Sequence, residues 1–353
     1  MDVFPPSSRP LLVQWMVDTR PLWPEATQTR QLTTVASRAL AALLSDEERA
    51  GVLKYFHVRD AKMALVSQLL KHLVVARCTG SDGPVPWRKA VLSRDGHGKP
   101  VFYHEKGRTQ LVVFNVSHQN GLVVLAAVYG GQLGGSGDSS AFEVGIDVVS
   151  PQERRLRDHQ MMAEEARQSG MNSVASGWLH FVDVHADVLS PSEVRYLKSV
   201  AADMQMQDDE RLRLFYGLWC LREAYVKMTG EALLAKWLAD LEFREFRVPG
   251  IANTPLESSA AMAEADSLCQ GEMETQYDIH FRGASVGDAV NMCLRSVGTG
   301  YMVCTAIRAA PGHEADTETR ACALALPTTD AIELLQVDDI LDFAERSGGS
   351  AES

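Results

Sequence analysis

An apolar stretch with helical periodicity, residues 215–230, constrains this chain more than any other part of its sequence. At 3.6 residues per turn, Trp219, Glu223 and Lys227 share one face, so an aromatic ring, a carboxylate and an ammonium group lie in line. The other residues are mostly apolar, which predicts a helix packed inside a domain. A Glu–Lys pair at this spacing also stabilises an exposed helix by about 0.2–0.5 kcal/mol. Because charges inside a domain need a partner or a function, a functional site and a helix-stabilising pair both stay open here.

The length and the charge of the chain limit its architecture and its partners. Its 353 residues can form one large domain or two modest ones with a sizeable core. The formal net charge of −12 argues against a general nucleic-acid-binding protein, because phosphate backbones select basic surfaces. An anionic small ligand would therefore need a local basic pocket, and an acidic protein partner would need a local basic or apolar patch.

The cysteines and the N-terminal residues indicate a reducing compartment. The six cysteines form no CxxC pair and no zinc-finger spacing, which predicts free, buried thiols. The first residues lack the basic and apolar regions of a secretory signal peptide. No apolar run approaches the roughly 18 residues that a transmembrane helix needs. We therefore expect a cytoplasmic protein that does not bind membranes.

Helix and strand patterns alternate through the first half of the chain. A long helix is predicted at Val58–Ala76, and its basic residues Arg59, Lys62 and Lys71 are expected to form a solvated face. A hairpin-like turn at residues 117–121 is expected to present polar side chains at the tip of two buried strands. The other elements predicted here are a strand at 11–18, an amphipathic helix at 31–44 and strands at 111–117, 122–128 and 142–149.

The second half repeats this order of helices followed by strands. Ser190 is a predicted N-cap, with proline at the first helical position. Residues 251–277 are small, polar and acidic, which favours an insertion or mobile loop. The other elements predicted here are strands at 241–248, 277–281 and 300–307, and a helical pattern at 332–345 within a C-terminal tail. Two halves of this kind indicate an α+β protein with a shared cleft.

Asp147 is a carboxylate within an otherwise apolar strand pattern. Burying an ionised carboxylate is costly unless it is paired or holds a metal. A structural ion pair and a functional carboxylate both stay open on this observation.

Residues 295–300 match the R-x-x-G-x-G pyrophosphate loop of acetyl-CoA-dependent N-acetyltransferases. In those enzymes the glycines open a helix whose N-terminus holds the pyrophosphate. Here residues 301–307 have a strand pattern instead, so we reject that interpretation.

Three motifs together carry a more specific resemblance. They are Asn115-Val116-Ser117-His118 after a strand, Gly145-Ile146-Asp147 within a strand, and Trp219-x-x-Arg222-Glu223-x-x-x-Lys227 on a helix. Their order and context resemble the Sfp-type 4′-phosphopantetheinyl transferases, and the larger eukaryotic members most of all. The resemblance extends to Arg59-Asp60-Ala61-Lys62, to Gly98-Lys99-Pro100 and to the opening DTRPLWP. It covers most of the chain from residue 11 to about residue 246.

This resemblance implies a fold and a reaction. The fold would be α+β, with two similar α/β half-domains related by a pseudo-twofold axis and an active site in the cleft between them. The expected boundaries are 1–141 for the N-terminal half, 142–312 for the C-terminal half and 313–353 for the tail. The enzyme would move the phosphopantetheine arm of coenzyme A onto a serine of an acyl or peptidyl carrier protein, and would release adenosine 3′,5′-bisphosphate.

The resemblance also implies a role for each motif residue. Asp147 and Glu223 would bind Mg²⁺, Glu223 would act as base directly or through a metal-bound water, and Lys227 would contact the phosphate and support the leaving group. Ser117 and His118 would contact phosphates of coenzyme A, with His118 either neutral or charged. The expected contacts of the adenosine 3′-phosphate region are Arg59, Arg94 and Lys99.

Two positions depart from the family pattern. Val149 replaces an acidic residue of the bacterial enzymes and cannot bind a metal, so water would complete the shell. Arg222 replaces the usual lysine before Glu223, which keeps the charge but changes the donor geometry. The alternative function is a non-catalytic module that binds coenzyme A or carrier proteins, with Val149 as a sign of lost chemistry.

The substrate range is taken from the family. The expected carriers are those of polyketide synthases, nonribosomal peptide synthetases and aminoadipate reductase, which implies roles in secondary metabolism and lysine biosynthesis. We expect a monomer and no nucleic-acid partner.

Overall fold

A computed structural model describes residues 1–80, 83–96, 98–104, 110–131, 133, 140–168, 174–231, 237–250, 268–313 and 316–348. The chain divides into two compact units. The first contains Met1–Val148, Lys227–Gly230 and Ile307–Ser353, and the second contains Val149–Val226 and Glu231–Ala306. Each unit combines helices with strands, so the predicted α+β class is confirmed.

The first unit contains short helices, one long helix and a four-stranded sheet. Its helices before residue 148 are α1 (Leu32–Val35), α2 (Ser37–Ala41), α3 (Asp46–Leu53) and α4 (Val58–Ala76). Its strands there are β1 (Leu11–Asp18), β2 (Thr79–Gly80), β3 (Gly83–Pro84), β4 (Ser93–Arg94), β5 (Pro100–Val101), β6 (Val112–Gln119), β7 (Leu122–Tyr129) and β8 (Phe142–Val149, whose last residue falls in the second unit).

The second unit contains further helices and the strands of two further sheets. Its helices are α5 (Pro151–Gln168), α6 (Val174–Val184), α7 (Pro191–Ser199) and α8 (Asp208–Thr229, whose last three residues fall in the first unit). Its strands are β9 (Leu241–Arg244), β10 (Gln270–Glu274), β11 (Asp278–Phe281), β12 (Ala284–Ser285), β13 (Val290–Val297) and β14 (Tyr301–Ala309, whose last three residues fall in the first unit). The C-terminal elements are α9 (Thr317–Ala325), β15 (Glu333–Leu334) and α10 (Val337–Ser347).

Helix α4 covers the main sheet of the first unit and has the bounds predicted from its periodicity. Its apolar side chains Leu65, Leu69 and Leu73 are fully buried, and the helix packs on β6 and β7. The strand order is β15-β1-β7-β6, with β7 antiparallel to both of its neighbours. Helix and sheet thus form the two layers of a single core.

Two predictions for the first unit were inaccurate. Residues 31–44 do not form one helix, because Ala36 has non-helical dihedral angles (φ −112°, ψ 24°) and separates α1 from α2. The β6–β7 turn contains only Asn120 and Gly121, both with positive φ (48° and 88°), as expected for an Asn-Gly hairpin turn. Ser117 and His118 therefore belong to strand β6 and do not lie in a turn.

The C-terminal segment, set apart above as a tail, is part of the first unit. Strand β15 pairs in parallel with β1, where Trp15 Nε1 donates to Glu333 Oε2 at 3.0 Å. Helix α10 buries Ile340 and Phe343, and its Glu345 accepts a hydrogen bond from Arg38 Nε at 2.6 Å. The segment thereby completes both the sheet and the core of this unit.

The second unit confirms the predicted caps. The side chain of Ser190 accepts from the Glu193 backbone, and the Glu193 carboxylate accepts from the Ser190 backbone, which closes a capping box on α7. Within this unit, β13 lies between β10 and β14, and β11 lies between β12 and β9. Residues 295–300 form the end of β13 and a turn, so no helix begins there and the N-acetyltransferase interpretation is wrong.

Two further predictions for this unit need correction. The strand predicted at 241–248 ends at Arg244. The predicted insertion at 251–277 contains strand β10, whereas residues 251–267 lie outside the described residues. Sequence reasoning missed β13, since its alternation was obscured by the glycine-containing motif at its end.

All six cysteines are free thiols as predicted, but the prediction that they are buried is wrong for the exposed Cys269 and the partly exposed Cys322. Cys78 and Cys293 are buried free thiols, and burial raises the pKa of Cys78 to about 12. Within the described part of the chain, no helix has the length and apolarity to cross a bilayer.

Candidate active site

Three polar side chains of the first unit meet in a closed hydrogen-bonded cluster. Lys227 Nζ donates to Asp147 Oδ1 at 2.5 Å and to Ser117 Oγ at 2.7 Å. Ser117 Oγ in turn donates to the same Asp147 oxygen at 2.8 Å. Asp147 and Ser117 are each 5% exposed. The ammonium group thus balances the buried carboxylate, as the cost of burying a charge requires.

Ser117 lies in β6 and Asp147 lies in β8, and a hydrogen bond from a side chain of β6 to the backbone of β8 joins these two strands. Side chains at alternate strand positions point to the same face, so Asn115 and Ser117 share one face of β6. The Asn115 carboxamide oxygen accepts from the backbone N–H of Ile146 at 3.2 Å, next to Asp147 in β8. This bond sets the two strands in register where Ser117 and Asp147 meet.

Helix α8 supplies the third member. It is longer than predicted, because it begins at Asp208 and not near residue 215. Lys227 lies in its last turn, with a side chain 29% exposed. Glu223 lies one helical turn earlier and is partly exposed. Convergence of Glu223 with Asp147 stays a prediction.

His118 follows Ser117 in β6 and has a separate contact. Its Nδ1 lies 3.4 Å from the hydroxyl of Ser67 on α4. The atoms packed around the ring lower the pKa of His118, and the ammonium groups of Lys227 and Lys71 lower it further. The carboxylates of Asp60 and Asp147 act in the opposite direction. The net effect favours the neutral imidazole, the protonation state that sequence reasoning left open.

Lys99 contacts the residue that follows Lys227 in α8, whereas the side chains of Arg94 and Arg59 lie exposed to solvent. Lys99 Nζ donates to the backbone carbonyl of Met228, in the last turn of α8, at 2.9 Å. Burial lowers the pKa of Lys99, although Glu143 and Asp95 oppose this effect. Arg94 donates to the Gly98 carbonyl at 2.7 Å, and the Arg59 side chain is 60% exposed.

Comparison with known proteins identifies the family. A model described as 4′-phosphopantetheinyl transferase, N-terminal, matches residues 32–130, and one described as 4′-phosphopantetheinyl transferase superfamily matches residues 143–279. A Fusarium mangiferae protein named 4′-phosphopantetheinyl transferase 1 is 44% identical over 302 residues, which cover 85% of this chain and 88% of that protein. The chain belongs to the 4′-phosphopantetheinyl transferase family. It is therefore an enzyme of the transferase class, and the resemblance inferred from the motifs is confirmed.

Other relatives of the transferase differ in similarity and in coverage. The Aspergillus fumigatus protein named 4′-phosphopantetheinyl transferase A is 32% identical, over 96% of this chain and 95% of that protein. A Xenopus laevis protein named L-aminoadipate-semialdehyde dehydrogenase-phosphopantetheinyl transferase is 25% identical, over 55% of this chain and 51% of that protein. The fungal proteins thus match nearly the whole transferase.

Arg222, the departure from the family pattern on α8, is buried in an ion pair of the second unit. Its guanidinium donates to both oxygens of Glu193, at 2.9 and 2.7 Å, and to the carbonyls of Leu238 and Leu241. Arg222 is 2% exposed and Glu193 is 1% exposed. Arg222 therefore anchors α8 within this unit. Sequence reasoning missed Glu193 as its partner because the two residues lie on different helices, 29 positions apart.

The predicted solvated face of α4 is wrong for two of its three lysine and arginine residues. Lys62 is 8% exposed, and burial lowers its pKa. Burial also lowers the pKa of Lys71, to about 8, and Arg94 adds to this effect while Glu48 opposes it. Only Arg59 is well exposed. The apolar residues on nearly every side of α4 were the sequence signal for this burial.

Lys71→Met is expected to change how stability depends on pH. The folded protein releases the Lys71 proton near pH 8 and the unfolded chain near 10.5, so the unfolded chain binds more protons in this window. The wild-type free energy of unfolding should therefore rise with pH across it, by on the order of 1–3 kcal/mol relative to the variant. Urea denaturation at several pH values measures this difference. The exposed Lys89→Met is the control, and parallel profiles for Lys71→Met and wild type would contradict the prediction.

Proposed function

We propose that this transferase uses Asp147, Glu223 and Lys227 to move 4′-phosphopantetheine from coenzyme A to a serine of a carrier-protein domain. The buried cluster of Lys227, Asp147 and Ser117 is the observation that supports this proposal most directly. It combines an ammonium group, a carboxylate and a hydroxyl donor in the first unit. Such preorganised charges stabilise the charge that develops during phosphoryl transfer.

The proposed reaction exchanges one phosphorus–oxygen bond for another. The carrier serine oxygen attacks the phosphorus that bears the pantetheine arm, and the bond from this phosphorus to the bridging oxygen of the diphosphate breaks. Glu223 accepts the serine proton, directly or through water. The negative charge that forms on the departing adenosine 3′,5′-bisphosphate is stabilised by Lys227.

Magnesium is part of the proposal, and the donor set is suited to it. Among the described residues no three His, Cys, Asp or Glu side chains cluster as a ligand set. Asp147 and Glu223 would therefore supply two carboxylates, with water at the remaining positions, which matches the preference of Mg²⁺ for few protein oxygens. When bound, the ion would neutralise diphosphate charge. Lys227 and Ser117 both donate to Asp147 Oδ1, so they fix the orientation of this carboxylate.

The remaining polar residues are proposed to bind coenzyme A. Ser117 and His118 would contact its phosphates, and Arg59, Arg94 and Lys99 would contact the adenosine 3′-phosphate region. The exposure of Arg59 and Arg94 is compatible with contacts to an anion from solvent. Lys99 would remain bonded to the carbonyl of Met228 through one of its three donors.

The carriers are proposed from the relatives. The names of the vertebrate relatives include aminoadipate-semialdehyde dehydrogenase, which supports an aminoadipate reductase carrier and a role in lysine biosynthesis. We extend the proposal to carriers of polyketide synthases and nonribosomal peptide synthetases. A monomeric state and a cytoplasmic location stay predictions.

Mass spectrometry of an apo carrier protein tests the proposed function. With coenzyme A, Mg²⁺ and the transferase, the carrier should gain the mass of phosphopantetheine on its serine. Reactions without coenzyme A, and reactions with a carrier whose serine is replaced by alanine, are the controls. Binding of coenzyme A without any mass gain would instead favour the non-catalytic module. Persistence of full activity in excess chelator would contradict the magnesium part of the proposal alone.

A further inference from the structure

Ser67 contacts His118 from a helix to which the family motifs assign no such role. It lies on the same face of α4 as Asp60 and Ala64, and it is 6% exposed. Its hydroxyl has one hydrogen-bond partner among the described residues, Nδ1 of His118 at 3.4 Å. Protein atoms pack around part of the His118 ring, and the residue also keeps a solvent-exposed side.

The direction of this hydrogen bond follows from the position of the serine hydroxyl. If Ser67 accepted from an Nδ1–H, its own hydroxyl hydrogen would be left without an acceptor in a buried position. A buried donor without an acceptor loses its hydrogen bond to water and gains none in return. If Ser67 donates to an unprotonated Nδ1, both groups are satisfied. The second arrangement requires the ring proton of His118 to reside on Nε2.

We infer that Ser67 is a positioning residue, which fixes His118 as the neutral tautomer with its proton on Nε2 and directs that N–H toward the bound substrate. The consequence for catalysis rests on the proposed function, in which His118 contacts a phosphate of coenzyme A. His118 then acts as a neutral hydrogen-bond donor beside the cations Lys227 and Lys71. A neutral donor binds a phosphate oxygen without adding a further positive charge to this site.

The charged groups around His118 agree with this assignment. Lys227 and Lys71 disfavour the imidazolium, while Asp60 and Asp147 favour it, and the pKa of His118 is lowered on balance. Since Asp147 also accepts hydrogen bonds from Lys227 and Ser117, part of its charge is already compensated. The geometry and the electrostatics therefore favour the same neutral ring.

Nitrogen NMR of the free transferase tests the tautomer without any activity measurement. The full chain is labelled with ¹⁵N-histidine, and His118→Gln assigns the His118 signals among those of the ten histidines. At neutral pH the wild-type signals should show the proton on Nε2. Ser67→Ala should shift them toward a mixture of both tautomers, and Ser67→Thr, which keeps the hydroxyl, should restore the wild-type pattern. Unchanged signals in Ser67→Ala, or a wild-type ring protonated on Nδ1, would overturn the inference.

Steady-state kinetics test the consequence for coenzyme A. Loss of one net hydrogen bond, worth about 0.5–1.5 kcal/mol, should raise KM for coenzyme A about 2- to 10-fold in Ser67→Ala, with a smaller effect on kcat. Ser199→Ala is the control for loss of a serine hydroxyl elsewhere, because the exposed Ser199 donates to the carbonyl of Tyr196 in its own helix region. A tautomer shift with unchanged KM would overturn the role of His118 in coenzyme A binding. A wild-type protein that shows the tautomer but no transfer would refute the proposed function and leave the Ser67–His118 assignment standing.

Discussion

Replacement of Asp147 by asparagine is expected to lower kcat/KM for carrier modification by about 10²–10³-fold. The amide has nearly the same shape and can still accept from Lys227 and Ser117. It removes the negative charge that balances the Lys227 ammonium and that would bind the metal. The measurement is the rate of phosphopantetheine transfer at several coenzyme A and carrier concentrations, together with the melting temperature of the variant.

Asp158→Asn is the matched control for this experiment. Asp158 is also a carboxylate with 5% exposure, and it accepts a hydrogen bond from the hydroxyl of Tyr216 at 2.6 Å. Its replacement should affect stability to a similar degree and leave kcat/KM within a few-fold of wild type. Equal rates for Asp147→Asn and Asp158→Asn would show that Asp147 has no special part in the chemistry.

Replacement of Glu193 by glutamine is expected to destabilise the second unit by about 3–5 kcal/mol. The guanidinium of Arg222 would remain buried without its counter-charge, and the backbone N–H of Phe243 would lose a charged acceptor. Urea denaturation measured by circular dichroism gives this value. Because α8 carries both Arg222 and Glu223, we also expect transfer activity to fall at temperatures where the fold is partly lost.

Arg244→Gln is the control for the ion pair. Arg244 pairs with Glu242 at 2.9 Å in the same unit, but its side chain is 42% exposed. Surface ion pairs contribute about 0–1 kcal/mol, so this variant should unfold close to wild type. Similar losses in both variants would mean that the burial of Arg222 and Glu193 does not determine their contribution.

The elements that could be predicted are those whose signals are local. The apolar periodicity of α4 gives its bounds, and Ser190 followed by proline marks the start of α7. The Asn120-Gly121 pair marks a hairpin turn through its two positive φ angles. Each of these signals involves residues within a few positions of one another, so no knowledge of the rest of the fold is needed.

The errors arise where distant parts of the chain decide the local structure. The break at Ala36 occurs in a segment with an uninterrupted helical pattern, where α2 meets α4 and the C-terminal helix. The environments of Lys62 and Lys71 depend on the neighbours that α4 acquires when the core forms. The role of the C-terminal segment depends on a parallel pairing with β1, more than 300 residues away in sequence. Helical or strand periodicity carries no information on such partners.

The candidate site combines both kinds of information. The resemblance of three motifs to the family implies Ser117, Asp147 and Lys227 as site residues. Only the folded chain shows that these three groups are hydrogen-bonded to one another. It also shows that Arg222 forms an ion pair with Glu193 and that Ser67 lies within hydrogen-bond distance of His118. Residue types at short spacings were enough to identify the family and the α+β class, and they predict which groups react. Which charges are buried and how they pair is visible only in the folded chain, because burial and pairing depend on contacts between residues far apart in sequence.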